Sequence, residues 1–280
     1  MYKMVVLDLD GTLLNDKKQI SERNVEIIKK IYKEKGVLFV IATGRDMHYV
    51  VNVTKKIKNA ASQYMIASNG AIIKDNMKNE YILKNCIDQI DALKMIDAYR
   101  KRNMEGLVYT CREKVTGEKR QAKANSDAKL VKDLKTYLEN NMSPILMLTV
   151  CGNEKDLEEI KQEIKIEFSE LEATDICDFL SDLGEEVYQT KYIDIMKRGS
   201  SKANAIKILA DYLHIHKEEI IAMGDGANDL PMFEVAGYRV AMENGNEKLK
   251  AQADYITTTN NQDGVAKALE EIFYKGEDKA

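Results

Sequence analysis

Short apolar runs alternate with amphipathic helical segments from the start of this chain, and that alternation limits its fold more than any other feature. Residues 4–9, 37–42 and 64–68 are apolar runs of strand length, and the second is continuous, as in a strand buried on both faces. Between the first two, the spacing of apolar residues predicts a helix over residues 22–34, with Ser21 as its N-cap. Strands joined by crossover helices form a parallel sheet, so we predict a doubly wound, Rossmann-like α/β fold.

The pattern changes after the third strand. A hairpin and then helices and strands without acidic tips follow, and the α/β alternation is expected to resume with the strand YIDIM at residues 192–196. We therefore predict a core domain of residues 1–83 and 190–280 that carries an inserted α+β domain of residues 84–189. The last two strands of the insert are predicted at TDICDF and EEVYQ.

Composition and charge argue against several classes of protein. At 280 residues, 44% hydrophobic and 31% charged, the chain can bury two cores. It has no apolar stretch near the roughly 18 residues that a membrane span requires. The net charge of −4 and the lack of a dense basic stripe give no case for nucleic acid as a partner. The start of the chain shows no secretory leader and the four cysteines have no metal-binding spacing, so we expect a cytoplasmic protein with reduced thiols.

Small polar and glycine-rich segments follow the strands of the predicted core. They are DLDGT at 8–12, TGR at 43–45, SNG at 68–70 and GDGAND at 224–229. In an open parallel sheet, ligands bind beyond the carboxyl ends of the strands, where loops and helix N-termini meet. We therefore expect the four segments to share one edge of the sheet.

Four aspartates in these segments suggest a cation. Asp8 and Asp10 are two residues apart, so on an extended strand their side chains lie on the same side, roughly 6 to 7 Å apart. Asp225 and Asp229 are one helical turn apart and bring two more acids to the same edge. Acidic side chains with no histidine or thiolate beside them favour a hard cation with oxygen ligands, and we predict Mg²⁺.

Donors must balance these acids if the site is to hold a phosphate group. Gly11 allows close approach of the backbone, Thr12 and Thr43 offer hydroxyls, and Lys202 offers a positive charge just before a helix. Such a site can move a phosphoryl group, with a carboxylate attacking phosphorus and a second acid protonating the departing oxygen. Taken one at a time, the segments have simpler interpretations: DLDG as a turn or calcium-type loop, GDGAND as an Asx-rich helix cap, and Arg45 and Asn69 as residues that bond loop carbonyls.

Together the motifs resemble those of the haloacid dehalogenase superfamily, in their order and over the whole chain. They are DLDGTLL, the TG of IATGR, Lys202 before a helix, and GDGANDLPM. The insert after the third strand, together with SNGA, AMENG (241–245) and DGVAKAL, resembles the Cof-type phosphatases, which carry an α/β cap at that point. Ala203 departs from the pattern, because the family often has glycine after the motif lysine.

The resemblance implies roles for the residues that match. Asp8 would be the nucleophile and would form an aspartyl-phosphate intermediate. Asp10 would protonate the leaving group and then activate water. Thr43 and Lys202 would hold the transferring phosphoryl group.

The same resemblance implies a metal site. Mg²⁺ would be bound by the Asp8 carboxylate, the Asp10 backbone carbonyl and Asp225, with Asp229 steadying a metal-bound water. The further phosphate-binding positions that we predict are Asn228, Asn69, Gly11 and Gly44.

The predicted function is Mg²⁺-dependent hydrolysis of small phosphomonoesters, with sugar phosphates as the expected substrates. One alternative is a sugar phosphomutase of the same superfamily, which would return the phosphoryl group to the sugar. Another is a receiver-like regulatory module, which also uses aspartates, Mg²⁺, a threonine and a lysine on a doubly wound sheet. A module of that kind needs no insert and occupies about one small domain, so the length of the chain weighs against it.

Overall fold

The structure is a computed structural model in which residues 1–58, 60, 63–117, 128–176 and 191–275 are described. Contacts between Cα atoms divide the chain into two compact units. The core unit consists of Met1–Lys84 and the residues from Ser201 onward, and the inserted unit lies between Asn85 and Ser200. No helix in these described ranges is both long and apolar enough to cross a membrane.

Strands and helices alternate through much of the chain. The strands of the described residues are β1 (Met4–Leu7), β2 (Leu38–Ala42), β3 (Tyr64–Ala67), β4 (Ile72–Asp75), β5 (Glu80–Lys84), β6 (Glu105–Thr110), β7 (Lys114–Gly117), β8 (Lys129–Val131), β9 (Ile145–Gly152), β10 (Leu171–Ile176), β11 (Lys191–Lys197), β12 (Ile220–Gly224), β13 (Tyr238–Ala241) and β14 (Tyr255–Ile256). The α-helices are α1 (Glu22–Lys35), α2 (Met47–Val53), α3 (Gln89–Lys101), α4 (Leu134–Asn140), α5 (Glu154–Glu167), α6 (Lys202–Leu213), α7 (Leu230–Glu234), α8 (Glu247–Lys250) and α9 (Gly264–Phe273).

The core unit is built on a sheet with the order β14-β13-β12-β1-β2-β3-β4-β5. The strands from β14 to β3 are parallel, and β4 and β5 add an antiparallel hairpin at one edge. Along β1, Val5 and Leu7 pack into the hydrophobic cluster on one face, and Met4 and Val6 pack into the cluster on the other. The central strand is therefore buried on both faces, and the predicted doubly wound fold is confirmed.

Helix α1 shows how local sequence sets the bounds of an element. The hydroxyl of Ser21 accepts a hydrogen bond from the backbone N–H of Asn24 at 3.2 Å, which is an N-cap in the predicted position. Val25, Ile28 and Ile31 are buried against the sheet, while the opposite side of the helix is charged. The spacing of these apolar residues gives the helix one apolar face, which packs against the parallel sheet.

The inserted unit has its own sheet, with the order β10-β11-β9-β6-β7-β8. Most of its neighbouring strands are antiparallel, and β7 and β8 are parallel. Ile193 and Ile195 of β11 belong to a hydrophobic cluster that includes residues of α3, α4 and α5. Asp194, between them, projects to the opposite face of the sheet because side chains alternate along a strand.

The assignment of residues 192–196 to the core sheet is wrong. Strand β11 pairs on one side with β9 and on the other with β10, both antiparallel, and its apolar side chains complete the core of the inserted unit. Of the two strands predicted at the end of the insert, TDICDF overlaps β10, which begins earlier, at Leu171. The remainder of TDICDF and all of EEVYQ lie outside the described residues.

Candidate active site

The segments that follow β12, β1, β2 and β3 meet at one edge of the core sheet. These four strands are consecutive neighbours and all run parallel, so their carboxyl ends lie side by side. Strand β1 ends at Leu7 and not at residue 9, which places Asp8 and Asp10 in the following loop. Asp8 nevertheless stays close to the sheet, because its backbone N–H donates to the carbonyl oxygen of Met223 on β12 at 3.0 Å.

Lys202 joins two of the aspartates. Its Nζ donates to Asp8 Oδ1 and to Asp229 Oδ1, each at 2.6 Å. Only 3% of the Lys202 side chain is exposed, against 8% for Asp8 and 1% for Asp229. Lys202 is the first residue of α6, whose N-cap Ser201 accepts a hydrogen bond from Asn204 N at 3.1 Å. The site therefore contains a buried lysine with two buried carboxylates.

The ionisation of this group is strongly perturbed. Burial raises the pKa of the Asp8 carboxyl well above its usual range, and the charges of Asp229 and Asp225 raise it further, against the opposing effect of Lys202. For Lys202, burial favours the neutral amine, but Asp229 and Asp8 outweigh it and raise the pKa of the ammonium group. A single lysine thus leaves an excess of negative charge around Asp8.

Asp225 is held by the loop that follows β1. Thr12 Oγ1 donates to Asp225 Oδ1 at 2.8 Å. Gly11 has a φ of +75°, and a Cβ at this position would overlap the Asp225 carboxylate. Only glycine allows the backbone to take this conformation so close to that side chain.

Asp229 holds the turn after β12 that carries Asp225. Its Oδ2 accepts hydrogen bonds from the backbone N–H groups of Asp225 and Gly226, each at 3.0 Å, while its Oδ1 accepts from Lys202. Three donors on one carboxylate hold the turn after β12 in place. This pattern favours a supporting role for Asp229 beside a cation.

The donor set fits a divalent cation. One carboxylate oxygen from each of Asp8, Asp225 and Asp229 lies within 4.8 Å of the other two. Hard oxygen donors are the ligands that Mg²⁺ prefers, and a cation among them would offset the repulsion that raises the pKa of Asp8. The described residues therefore provide a cluster that could hold a metal ion.

Asp10 is not part of this cluster and has its own cationic partners. Arg45 Nε donates to Asp10 Oδ2 at 2.8 Å and Arg45 Nη2 donates to Asp10 Oδ1 at 3.2 Å. Lys18 Nζ donates to Asp10 Oδ1 at 3.0 Å, and the Arg45 guanidinium lies 5.1 Å from the centre of the Tyr49 ring. Burial alone would raise the pKa of Asp10, but Arg45 and Lys18 outweigh it and lower the pKa.

These contacts bear on two interpretations made from the sequence. Asp8 and Asp10 each have a basic side chain as a hydrogen-bond partner, Lys202 and Arg45 respectively, and the Mg²⁺ expected beside them stays a prediction. The Arg45 side chain bonds a carboxylate, where the simple alternative had it bond loop carbonyls. Lys18 was not predicted at all, because a lysine in a polar loop carries no periodicity that would reveal its partner.

The predicted phosphate-binding positions that follow β2 and β3 lie together. Thr43 is buried, and its Oγ1 accepts a hydrogen bond from Arg45 N at 3.1 Å. Asn69 has a left-handed backbone with a φ of 51°, and its N–H donates to the Thr43 carbonyl at 3.1 Å. A Cβ on Gly44 would lie 2.8 Å from Asn69 Oδ1, so these two loops are in direct contact. Their contact with phosphate stays a prediction.

Two remaining positions lie at the ends of helices. Asn228 is exposed in the 3₁₀ turn Ala227–Asp229 that precedes α7. Ala203 lies within the first turn of α6 and is not among the residues with positive φ, so the backbone there does not require the glycine that the family often has.

Comparisons with known proteins give relatives over nearly the whole chain. A family model described as haloacid dehalogenase-like hydrolase matches residues 5–269. The 5-amino-6-(5-phospho-D-ribitylamino)uracil phosphatase YitU of Bacillus subtilis is 30% identical over 284 residues, which cover 96% of this chain and 97% of that protein.

Solved structures extend the likeness to the fold. A haloacid dehalogenase-like hydrolase from Bacteroides thetaiotaomicron is 31% identical with a TM-score of 0.82, over 98% of this chain and 100% of that chain. The phosphatase BT1666 from the same organism is 27% identical with a TM-score of 0.79, over 97% of this chain and 95% of that chain. In each comparison the likeness spans the core and the insert together.

Proposed function

The chain belongs to the haloacid dehalogenase-like hydrolases and is a phosphatase, and we propose that it hydrolyses small phosphomonoesters, sugar phosphates in particular, with Mg²⁺ as cofactor. The single observation that carries the proposal is the buried Lys202 between Asp8 and Asp229, with Asp225 within ligand distance of both acids. It combines a nucleophile, a cation and a place for a metal at the carboxyl end of a parallel sheet.

Asp8 is the proposed nucleophile. One of its carboxylate oxygens attacks phosphorus, a bond forms between them, and the bond from phosphorus to the leaving oxygen breaks. Lys202 lies 2.6 Å from Asp8 and neutralises charge on the phosphoryl oxygens. Bound by the carboxylates of Asp8 and Asp225 and the backbone carbonyl of Asp10, Mg²⁺ would supply further positive charge to the phosphoryl group and help keep Asp8 ionised.

Asp10 is the proposed acid and base. In the first step it gives its proton to the leaving oxygen, and in the second it takes a proton from the water that attacks phosphorus and breaks its bond to Asp8. Arg45 and Lys18 hold the carboxylate in place and favour its ionised form, which is the form that the second step needs. A phosphorylated substrate adds negative charge beside Asp10 and so favours protonation before the first step.

The substrate class rests on chemistry that the relatives suggest. The compound in the name of the YitU relative is a phosphate ester of an open-chain sugar alcohol, the ribityl group. We therefore propose phosphorylated sugars and sugar alcohols as the substrates, and we include that pyrimidine compound among the candidates.

The proposal is tested by phosphate release from a panel of phosphorylated compounds. The panel holds hexose and pentose phosphates, ribitol phosphate, the ribitylaminouracil phosphate, nucleotides and a chromogenic phosphomonoester, each with Mg²⁺ and with EDTA. Asp8→Asn is compared with Asp211→Asn, an equivalent change at an exposed position on α6.

We expect Mg²⁺-dependent release by the wild type and by Asp211→Asn, and none by Asp8→Asn. Phosphate release by Asp8→Asn would refute the proposed nucleophile. Phosphate release by the wild type that is unaffected by EDTA would refute the proposed cofactor. Transfer of phosphate between positions of a sugar without release would instead indicate the phosphomutase alternative.

A further inference from the structure

The loop Met242–Asn246, which follows β13, contacts both of the loops that carry the clustered aspartates. It contains most of the AMENG motif, for which the catalytic roles above have no use. Because β13 is the neighbour of β12, the 242–246 loop emerges beside the turn that carries Asp225. Its backbone begins against that turn, where Met242 N donates to the Gly224 carbonyl at 3.0 Å.

On one side, the 242–246 loop bonds the backbone of Asp225 itself. Asn246 N donates to the Asp225 carbonyl oxygen at 2.7 Å. A Cβ on Gly245 would lie 2.8 Å from the Met242 carbonyl oxygen and 3.1 Å from the Asp225 carbonyl oxygen. The close packing of loop against turn therefore depends on a glycine at position 245.

On the other side, the same loop bonds the segment that follows β1. Asn244 Nδ2 donates to the Gly11 carbonyl oxygen at 2.8 Å, next to the residue whose carbonyl is the proposed metal ligand, Asp10. The other end of the Asn244 amide is also engaged, because its Oδ1 accepts from Asn260 N at 2.9 Å. Both ends of one amide are thus used to orient it toward Gly11.

We propose that Asn244 is a positioning residue for the Mg²⁺ site. It joins the loop of Asp8 and Asp10 to the loop of Asp225 without contacting any of the three carboxylates. Gly11 lies directly against the Asp225 side chain, so a bond that fixes the Gly11 carbonyl also fixes the distance between the two acidic loops. The inference rests on the proposed function, since it concerns how the proposed metal ligands are held.

The test measures Mg²⁺ binding directly, without substrate. Isothermal titration calorimetry with MgCl₂ is carried out on the full-length wild type, Asn244→Ala and Asn261→Ala. Asn261 is the matched control, because it is also exposed and its side chain bonds Asp16, further along the β1–α1 connection than Asp10, and not Gly11. Removal of a group that orients metal ligands commonly weakens metal binding tenfold or more, so we expect the Mg²⁺ dissociation constant of Asn244→Ala to rise about tenfold. Asn261→Ala should bind like the wild type.

Two further measurements separate positioning from general loss of structure. Melting temperatures in EDTA should agree between Asn244→Ala and Asn261→Ala, and kcat of Asn244→Ala should recover at saturating Mg²⁺ while its half-saturating Mg²⁺ concentration stays raised. Gly245→Ala, which forces the same loop away from Asp225, should also weaken Mg²⁺ binding.

Unchanged Mg²⁺ affinity in Asn244→Ala, or equal weakening in Asn261→Ala, would overturn this inference. The proposed function fails separately, since its failure appears in the wild type as phosphate release without Mg²⁺ dependence or as no release at all.

Discussion

The buried Asp194 of the inserted unit should make the wild type lose stability as the pH rises through its titration range. It lies on β11, the strand next to the edge strand β10, and its register partners are Thr149 on β9 and Thr174 on β10. Thr149 Oγ1 donates to Asp194 Oδ1 at 2.6 Å. Burial raises the pKa of Asp194 to about 6, against the opposing effect of the Thr149 hydroxyl.

The direction of this change in stability depends on whether the folded or the unfolded chain holds the proton of Asp194. An aspartate in the unfolded chain titrates at about 3.9, so between this pH and about 6 the folded protein keeps a proton that the unfolded chain releases. The free energy of unfolding should therefore fall by about 1.4 kcal/mol per pH unit in this window, or about 3 kcal/mol in total. Below this pH window, Asp194 is protonated in both the folded protein and the unfolded chain. Above the window it is ionised in both, and the free energy of unfolding falls no further on its account.

Asp194→Asn removes this titration and keeps an acceptor for the Thr149 hydroxyl. We expect the variant and the wild type to have similar free energies of unfolding at pH 4. At pH 7.5 the variant should be more stable by about 3 kcal/mol. Other groups titrate equally in both proteins, so the difference between the two isolates position 194.

The assay is urea unfolding of both proteins followed by circular dichroism between pH 4 and pH 8. Thr149→Val serves as the second variant. It removes the hydroxyl that lowers the pKa of Asp194, so the free energy of unfolding of this variant should continue to fall up to a higher pH than that of the wild type. A difference between wild type and Asp194→Asn that does not change with pH, or an asparagine variant that is less stable at pH 7.5, would refute the reasoning.

Three changes at the candidate active site have definite expected outcomes. Lys202→Met leaves two buried carboxylates without their shared cation, so we expect a loss of stability of about 3 to 5 kcal/mol in EDTA by urea unfolding and no phosphate release. Arg45→Lys keeps the positive charge but loses the pair of hydrogen bonds to Asp10. The kcat for a chromogenic phosphomonoester should fall at least tenfold, with a smaller change in KM. An unchanged kcat would show that the geometry of this pair is not needed. Gly11→Ala places a Cβ against the Asp225 carboxylate at a residue with positive φ. The Mg²⁺ dissociation constant measured by calorimetry should therefore rise more than tenfold. An affinity equal to that of the wild type would contradict the packing described.

The clustering of Asp8, Lys202, Asp225 and Asp229 could be predicted from the sequence for a simple reason. The segments that carry Asp8 and Asp225 follow strands that are neighbours in a parallel sheet, and parallel strands bring their carboxyl ends together. Periodicity identifies such strands well, and the motifs mark their ends. The predicted cap of α1 at Ser21 was similarly local and similarly accurate.

Other features depend on contacts that no local pattern encodes. The partners of Asp10 are side chains from two different loops, Lys18 and Arg45, whose directions follow from the folded backbone and not from spacing. Strand β11 was assigned to the wrong sheet because an apolar run predicts a strand but not its neighbours. Its antiparallel pairing with β9 and β10 is decided by register and by the helices of the inserted unit.

The position of β1 in the core sheet has a consequence for synthesis on the ribosome. Its neighbours are β2, which follows soon after it, and β12, which begins at Ile220. Until that strand emerges, one edge of β1, a fully buried strand, has no partner, and Lys202 lies 194 residues from Asp8 along the chain. Long-range pairing of this kind is slow and leaves strand edges open to aggregation. The nascent chain should therefore need protection of this edge by a chaperone, and products truncated before β12 should be both insoluble and inactive.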